Sequence, residues 1–137
     1  MVRACSTLWP LAIPIPATPL PITKEKSDGA AKKMRIRVNL SVNDVAPTGN
    51  FTFGLYPVTR PGTSGGAGLC IYTLGTVVSG SNGASFTTPA ADSMATATSS
   101  DFAIPADGFY CIGVVTTATV ATSSLVQVQA ELQARNN

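Results

Sequence analysis

From residue 34 to residue 42 the chain alternates: Met34, Ile36, Val38, Leu40 and Val42 are apolar, and Arg35, Arg37, Asn39 and Ser41 between them are polar. A period of two places the two sets on opposite faces of an extended chain, which predicts a half-exposed strand. Turn-forming residues follow at 45–50, and then Phe51, Phe53 and Leu55 alternate with Thr52, Gly54 and Tyr56 in a second strand that Pro57 and Pro61 close. Residues 62–68 hold four glycines and read as a flexible loop, without the lysine and following helix that a phosphate loop needs. Residues 69–78 and 109–115 are apolar at both parities, which predicts central strands covered on both sides or facing a partner. Between them, Ser81-Asn82-Gly83 is a hairpin signal, residues 84–88 a short strand, and Pro89 a stop. Residues 90–100 suit one helical turn or a loop crossing an edge. A brief strand at 101–104 and a turn at 105–108 lead on to residues 124–135, where Val126, Val128, Ala130, Leu132 and Ala134 face inward and Gln127, Gln129, Glu131, Gln133 and Arg135 outward.

About seven short strands with regularly spaced turns predict an all-β fold, a two-sheet antiparallel β-sandwich of jelly-roll-like connectivity. Residues 34–137 form that domain, and residues 1–33 are set apart from it. From Trp9 to Ile22 proline alternates with apolar residues, with prolines at 10, 14, 16, 19 and 21, so an extended polyproline-like arm is expected. Trp9, Leu11, Ile13, Ile15, Leu20 and Ile22 would be exposed on a free arm, and such side chains fit a groove on this domain or on a neighbour. Residues 24–33 are polar and read as a hinge. The prolines interrupt any signal-peptide helix, and no apolar run is long enough to span a membrane.

Charge refines this picture. Residues 1–33 carry five cations against two acids, whereas residues 34–137 carry four arginines against five acids, and between Val45 and Ser100 the only charges are Arg60 and Asp92. So bland a domain surface is poor for nucleic acid, which needs several phosphate-neutralising cations on one face, and suits contact with protein. Gly, Pro and 29 Ser plus Thr occupy the places charges usually take.

The chain has no histidine, which removes the usual neutral-pH base and the Ser-His and Cys-His nucleophile pairs. Asp44, Asp92, Asp101, Asp107 and Glu131 form no pair at useful spacing, so turn and cap roles are expected ahead of catalysis, with a calcium site from the loop acids as the next reading. Cys5, Cys70 and Cys111 lack zinc-ligand spacing; Cys70 and Cys111 either pair or remain buried thiols. No cofactor is expected. Phe51, Phe53 and Phe86 alternate as core residues, leaving Tyr56, Tyr72 and Tyr110 as possible surface contacts. Arg35 and Arg37 share one side of the first strand, as a solvated or edge-protecting face in preference to an anion contact.

The segments Gly54-Leu55-Tyr56-Pro57-Val58, Leu74-Gly75-Thr76-Val77-Val78-Ser79-Gly80-Ser81, Pro105-Ala106-Asp107-Gly108-Phe109-Tyr110 with Gly113-Val114-Val115, and the ending from Gln127 to Asn136 resemble small β-sandwich structural proteins of tailed-bacteriophage virions. The resemblance covers residues 34–137 and rests on strand and turn patterns. It implies a non-enzymatic capsid decoration or cement protein, or a head-fibre or tail subunit, assembled in the bacterial host cytoplasm and carried on the virion. Its expected partners are the major capsid protein and other virion subunits, with copies associating as a homo-oligomer, most simply a trimer, and with no nucleic acid or membrane partner. A secreted adhesin-like module that binds carbohydrate is the alternative.

Overall fold

The computed structural model describes residues 2–9, 20–59, 73–116 and 125–135. Ten strands follow one another: β1 (Val2–Trp9), β2 (Leu20–Ile22), β3 (Lys33–Asn43), β4 (Asn50–Thr59), β5 (Thr73–Leu74), β6 (Ala84–Thr87), β7 (Ser93–Thr98), β8 (Phe102–Ala103), β9 (Gly108–Thr116) and β10 (Leu125–Arg135). They build two antiparallel sheets, the first in the order β1-β10-β3-β7 with β8 also on β3, the second in the order β2-β9-β4-β5 with β6 also on β4. The all-β expectation holds, and no α-helix occurs among the described residues.

The alternating segments form the middle of each sheet. In β3, Met34, Ile36, Val38, Leu40 and Val42 are all buried, while none of the residues between them is. β10 runs beside β3 in unbroken register from Leu125 opposite Asn43 to Arg135 opposite Lys33, and contributes Val126, Val128, Ala130 and Leu132 to the core. Phe51, Phe53 and Leu55 of β4 meet them from the second sheet, joined by Ile112 of β9 and Phe86 of β6, whose ring stands edge-on to Phe53 at a centroid distance of 6.1 Å. Both sheets bury one face in a single cluster.

Several elements differ from the sequence expectation. Pro57 lies inside β4, opposite Tyr110. Its carbonyl accepts the Gly75 N–H at 2.8 Å, so the side on which its own N–H is missing faces β5, and the ladder to β9 loses nothing. Of residues 69–78, those described contribute only the two-residue edge strand β5 and are not central. Ser81-Asn82-Gly83 is a 3-10 turn, and β5 and β6 flank β4 one after the other without forming a hairpin with each other. Residues 93–98 form a strand, not a helical turn or loop.

Both outer neighbours of the central strands are interrupted, and a serine bridges each gap. Residues 75–83 pass opposite residues 54–57, more chain than a ladder can pair; there the Leu55 N–H donates to Ser81 Oγ at 2.9 Å, Ser81 Oγ donates to the Val78 carbonyl at 2.7 Å, and the Val78 N–H donates to the Leu55 carbonyl at 2.8 Å. Residues 99–101 likewise pass opposite residues 35–36; the Ile36 N–H donates to Ser99 Oγ at 2.9 Å, and the Ser99 N–H donates to the Ile36 carbonyl at 2.8 Å. Ser81 and Ser99 are the two buried polar residues among those described. Each hydroxyl occupies the place of a ladder partner that the extra residues remove.

Residues 20–33 belong to the same body. β2 pairs with β9, Ile22 is buried in the core, and Leu20 packs against it. Residues 23–32 then double back: Glu25 bridges Ala31, the Lys32 N–H donates to the Lys24 carbonyl, and Gly29 turns the chain with φ 80°.

Candidate functional site

The strand registers create two outward faces of different character. On the first sheet, Arg37 stands opposite Glu131 and Thr98, Asn39 opposite Gln129 and Thr96, and Ser41 opposite Gln127 and Met94. Directly opposed residues share a face, so amides and hydroxyls occupy this surface toward Ser41, and Lys33, Arg35, Arg37 and Arg135 gather with Glu131 toward its other end. Thr96 Oγ1 donates to Asn39 Oδ1 at 2.8 Å, and Arg35 Nε donates to Gln133 Oε1 at 2.7 Å. On the second sheet the outward positions are Thr52, Gly54, Tyr56 and Val58 of β4 and Phe109, Cys111, Gly113 and Val115 of β9. Here the Tyr56 ring lies over Gly113, where a Cβ would come within 2.8 Å of two ring carbons. Phe109 and Val115, at the two ends of β9, are 57% and 58% exposed.

Of the predicted contact residues, Arg35 and Arg37 do share the outer face of β3, Arg35 half-buried on its glutamine and Arg37 exposed. Tyr56 is half-buried, and burial, with Cys111 as the lesser cause, holds its phenol above the ordinary 10.0. Tyr110 is not a surface contact: it is buried in the core, and its hydroxyl donates to the Ala106 carbonyl at 2.7 Å. Tyr72 lies outside the described residues. Among the arm residues, Ile22 is buried in this chain's own core and Leu20, half-buried, packs against it. Trp9 holds the last position of β1, opposite Val126, while Leu11, Ile13 and Ile15 lie outside the described residues.

The acids are placed as turn and tether groups. Asp92 Oδ1 accepts the Asp44 N–H at 3.0 Å, and both residues have positive φ. Asp107 Oδ1 accepts the Lys24 N–H at 2.6 Å, and Asp101 pairs with Arg135 at 3.2 Å. No group of three or more metal-ligating side chains comes together among the described residues, and no helix there is long and apolar enough to cross a membrane. Cys111 is a buried free thiol whose pKa burial pushes above the ordinary 9.0; Cys70 lies outside the described residues.

No protein-family model, curated protein or solved structure matches the chain.

Sequence reasoning missed the two bridging serines, whose role depends on register with distant strands, and it missed β7. The β7 signal was present but faint: Ser93, Ala95 and Ala97 alternate with Met94, Thr96 and Thr98, and alanine marks an inward face weakly.

Proposed function

We propose that this chain is a non-enzymatic virion structural protein built as a jelly-roll β-sandwich, a decoration or cement subunit on the outer surface of a tailed-phage head. The observation that carries this reading is the strand order. With β5 and β6 counted as one interrupted strand and β7 and β8 as another, the first strand pairs with the last, the second with the next to last, and so inward to the fourth and fifth. Such nesting is expected of a long hairpin rolled onto itself and supports the jelly-roll reading; jelly rolls recur in viral capsid proteins. The engagement of Asp44, Asp92, Asp101 and Asp107 in turns and tethers supports a binding role over a catalytic one. Leu11, Ile13 and Ile15, in the Pro-rich connection between β1 and β2, supply apolar contacts to the major capsid protein or a neighbouring subunit, and copies gather around a symmetric position, most simply a three-fold. Assembly takes place in the bacterial cytoplasm.

The test is co-sedimentation of the full-length chain with purified heads of its cognate phage. Saturation at a symmetric stoichiometry supports decoration; a folded chain that stays in the supernatant overturns it. Binding on a glycan array by such a chain would assign it to the carbohydrate-binding modules instead.

A further inference from the structure

Two sheets have four edges, and three of them are blunted. β1 carries a register shift between Ala4 and Thr7 and an arginine at position 3. β2 has three residues, one of them Pro21. The β5–β6 edge is broken by residues 75–83 into strands of two and four residues. These are the usual protections against edge-to-edge pairing. β7 has none of them: it runs six residues, Ser93–Thr98, without a charge, a proline or a bulge, and Met94 on it is 83% exposed.

Which of its backbone groups are free follows from register. The Ser99 N–H bonds the carbonyl of Ile36, its direct opposite, so this is a hydrogen-bonded pair, and pairs alternate along an antiparallel ladder. Ala97, Ala95 and Ser93 therefore bond β3, while Met94, Thr96 and Thr98 turn N–H and C=O away from it. Among the described residues, no strand pairs with that side.

We propose that β7 is a self-pairing edge that takes β7 of a second copy of this chain, antiparallel about a two-fold axis at Thr96. The free groups admit this register: Thr96 pairs with the partner's Thr96, and Met94 with the partner's Thr98 in both directions. These three pairs exchange two bonds each and join the two first sheets into one. No charge opposes a like charge, since Asp92 falls opposite the partner's Ser100. Met94 of each copy covers the partner's Thr98. The inference rests on sheet order and is independent of the virion reading; it adds a two-fold contact to any three-fold association on a head.

The test is sedimentation equilibrium of the full-length chain over a concentration series, with amide hydrogen exchange on the same samples. The expected result is a monomer–dimer equilibrium in which the Met94, Thr96 and Thr98 amides gain protection as dimer forms, while Ala95 and Ala97 are protected throughout. Thr96→Pro removes a donor that the single copy does not use, and Thr96→Lys sets two cations face to face. Each is expected to weaken the dimer on the order of tenfold or more, while Gln129→Lys, on the same outer face but on an interior strand, leaves it intact. A chain that is monomeric at all concentrations, a dimer indifferent to both Thr96 variants, or association without protection at residues 94, 96 and 98 overturns the proposal. If Thr96→Pro fails to fold, Thr96→Lys and the exchange pattern of the unaltered chain decide.

Discussion

Replacing Ser81 by alanine isolates one hydroxyl whose loss has a calculable consequence. Ser81 is 0% exposed, and its Oγ is the acceptor for the N–H of Leu55, itself 0% exposed in the centre of β4. The Val78 carbonyl keeps a second donor in the Ser81 N–H at 3.0 Å, so the variant orphans one group, the Leu55 N–H. A buried donor stripped of its acceptor costs about 1–3 kcal/mol, well above the worth of an exposed hydrogen bond. Ser93 provides the comparison, since its hydroxyl donates to the Ala90 carbonyl at an exposed turn, where substitution stays within about 0.5 kcal/mol. In urea titrations with a slope of about 1–3 kcal/mol per molar, Ser81→Ala should lower the midpoint by on the order of 1 M and Ser93→Ala should leave it in place. The Leu55 amide should also exchange faster with solvent. Equal midpoints for the two variants would refute the reasoning, because the gap in β4 would then be closed by something other than the serine.

Two further outcomes follow from burial. Ile22→Ala should destabilise the chain by about 2–5 kcal/mol in the same titration, the range for a truncated core aliphatic, since Ile22 is 7% exposed within the core; an unchanged midpoint would return residue 22 to a free arm. The folded chain holds the Cys111 proton to higher pH than the unfolded chain does, so its contribution to stability is intact below about pH 9 and is lost as pH rises through the native thiol pKa. Cys111→Ala should flatten the alkaline decline that begins there and leave the later decline due to Tyr56, whose phenol is raised in the same sense; an identical pH–stability slope in the variant counts against a buried thiol.

What the sequence displays of this fold is its interior parity. β3, β4 and β10 are legible because large apolar side chains recur at every second residue and one face of each strand meets a common core. β9 is legible as a central strand, but its outward parity is uncovered at Phe109 and Val115, while Tyr56 lies over Gly113 between them. Pro57 shows the limit of a local rule: proline ends a strand only where its missing N–H is needed, and which way it faces is set by register with β5 and β9. The bridging serines are hidden for the same reason, since Ser81 and Leu55 are 26 residues apart and Ser99 and Ile36 are 63 apart. In the candidate contact set, the shared face of Arg35 and Arg37 follows from the period of two, whereas the burial of Ile22 depends on a partner strand more than eighty residues away.

The scarcity of charge between Val45 and Ser100 and the architecture of the edges are connected. With two charges over that stretch, the β5–β6 edge is blunted by geometry and not by lysine, through the interruption bridged by Ser81, whereas Pro21 and the register shift in β1 blunt edges that lie outside it, in the cation-bearing first 33 residues. The interruption at Ser99 serves β7 differently, because it falls beyond the end of the strand and leaves six regular residues before it. A neutral edge associates through main-chain bonds, which salt screens little, whereas any contact made by the exposed lysines of residues 24–33 weakens as the Debye length shrinks. Raising salt from about 0.05 to about 0.5 M should therefore leave the β7 dimer constant unchanged within about a factor of two. A steep fall over that range would place the contact on the lysine-bearing turn, at a different part of the surface.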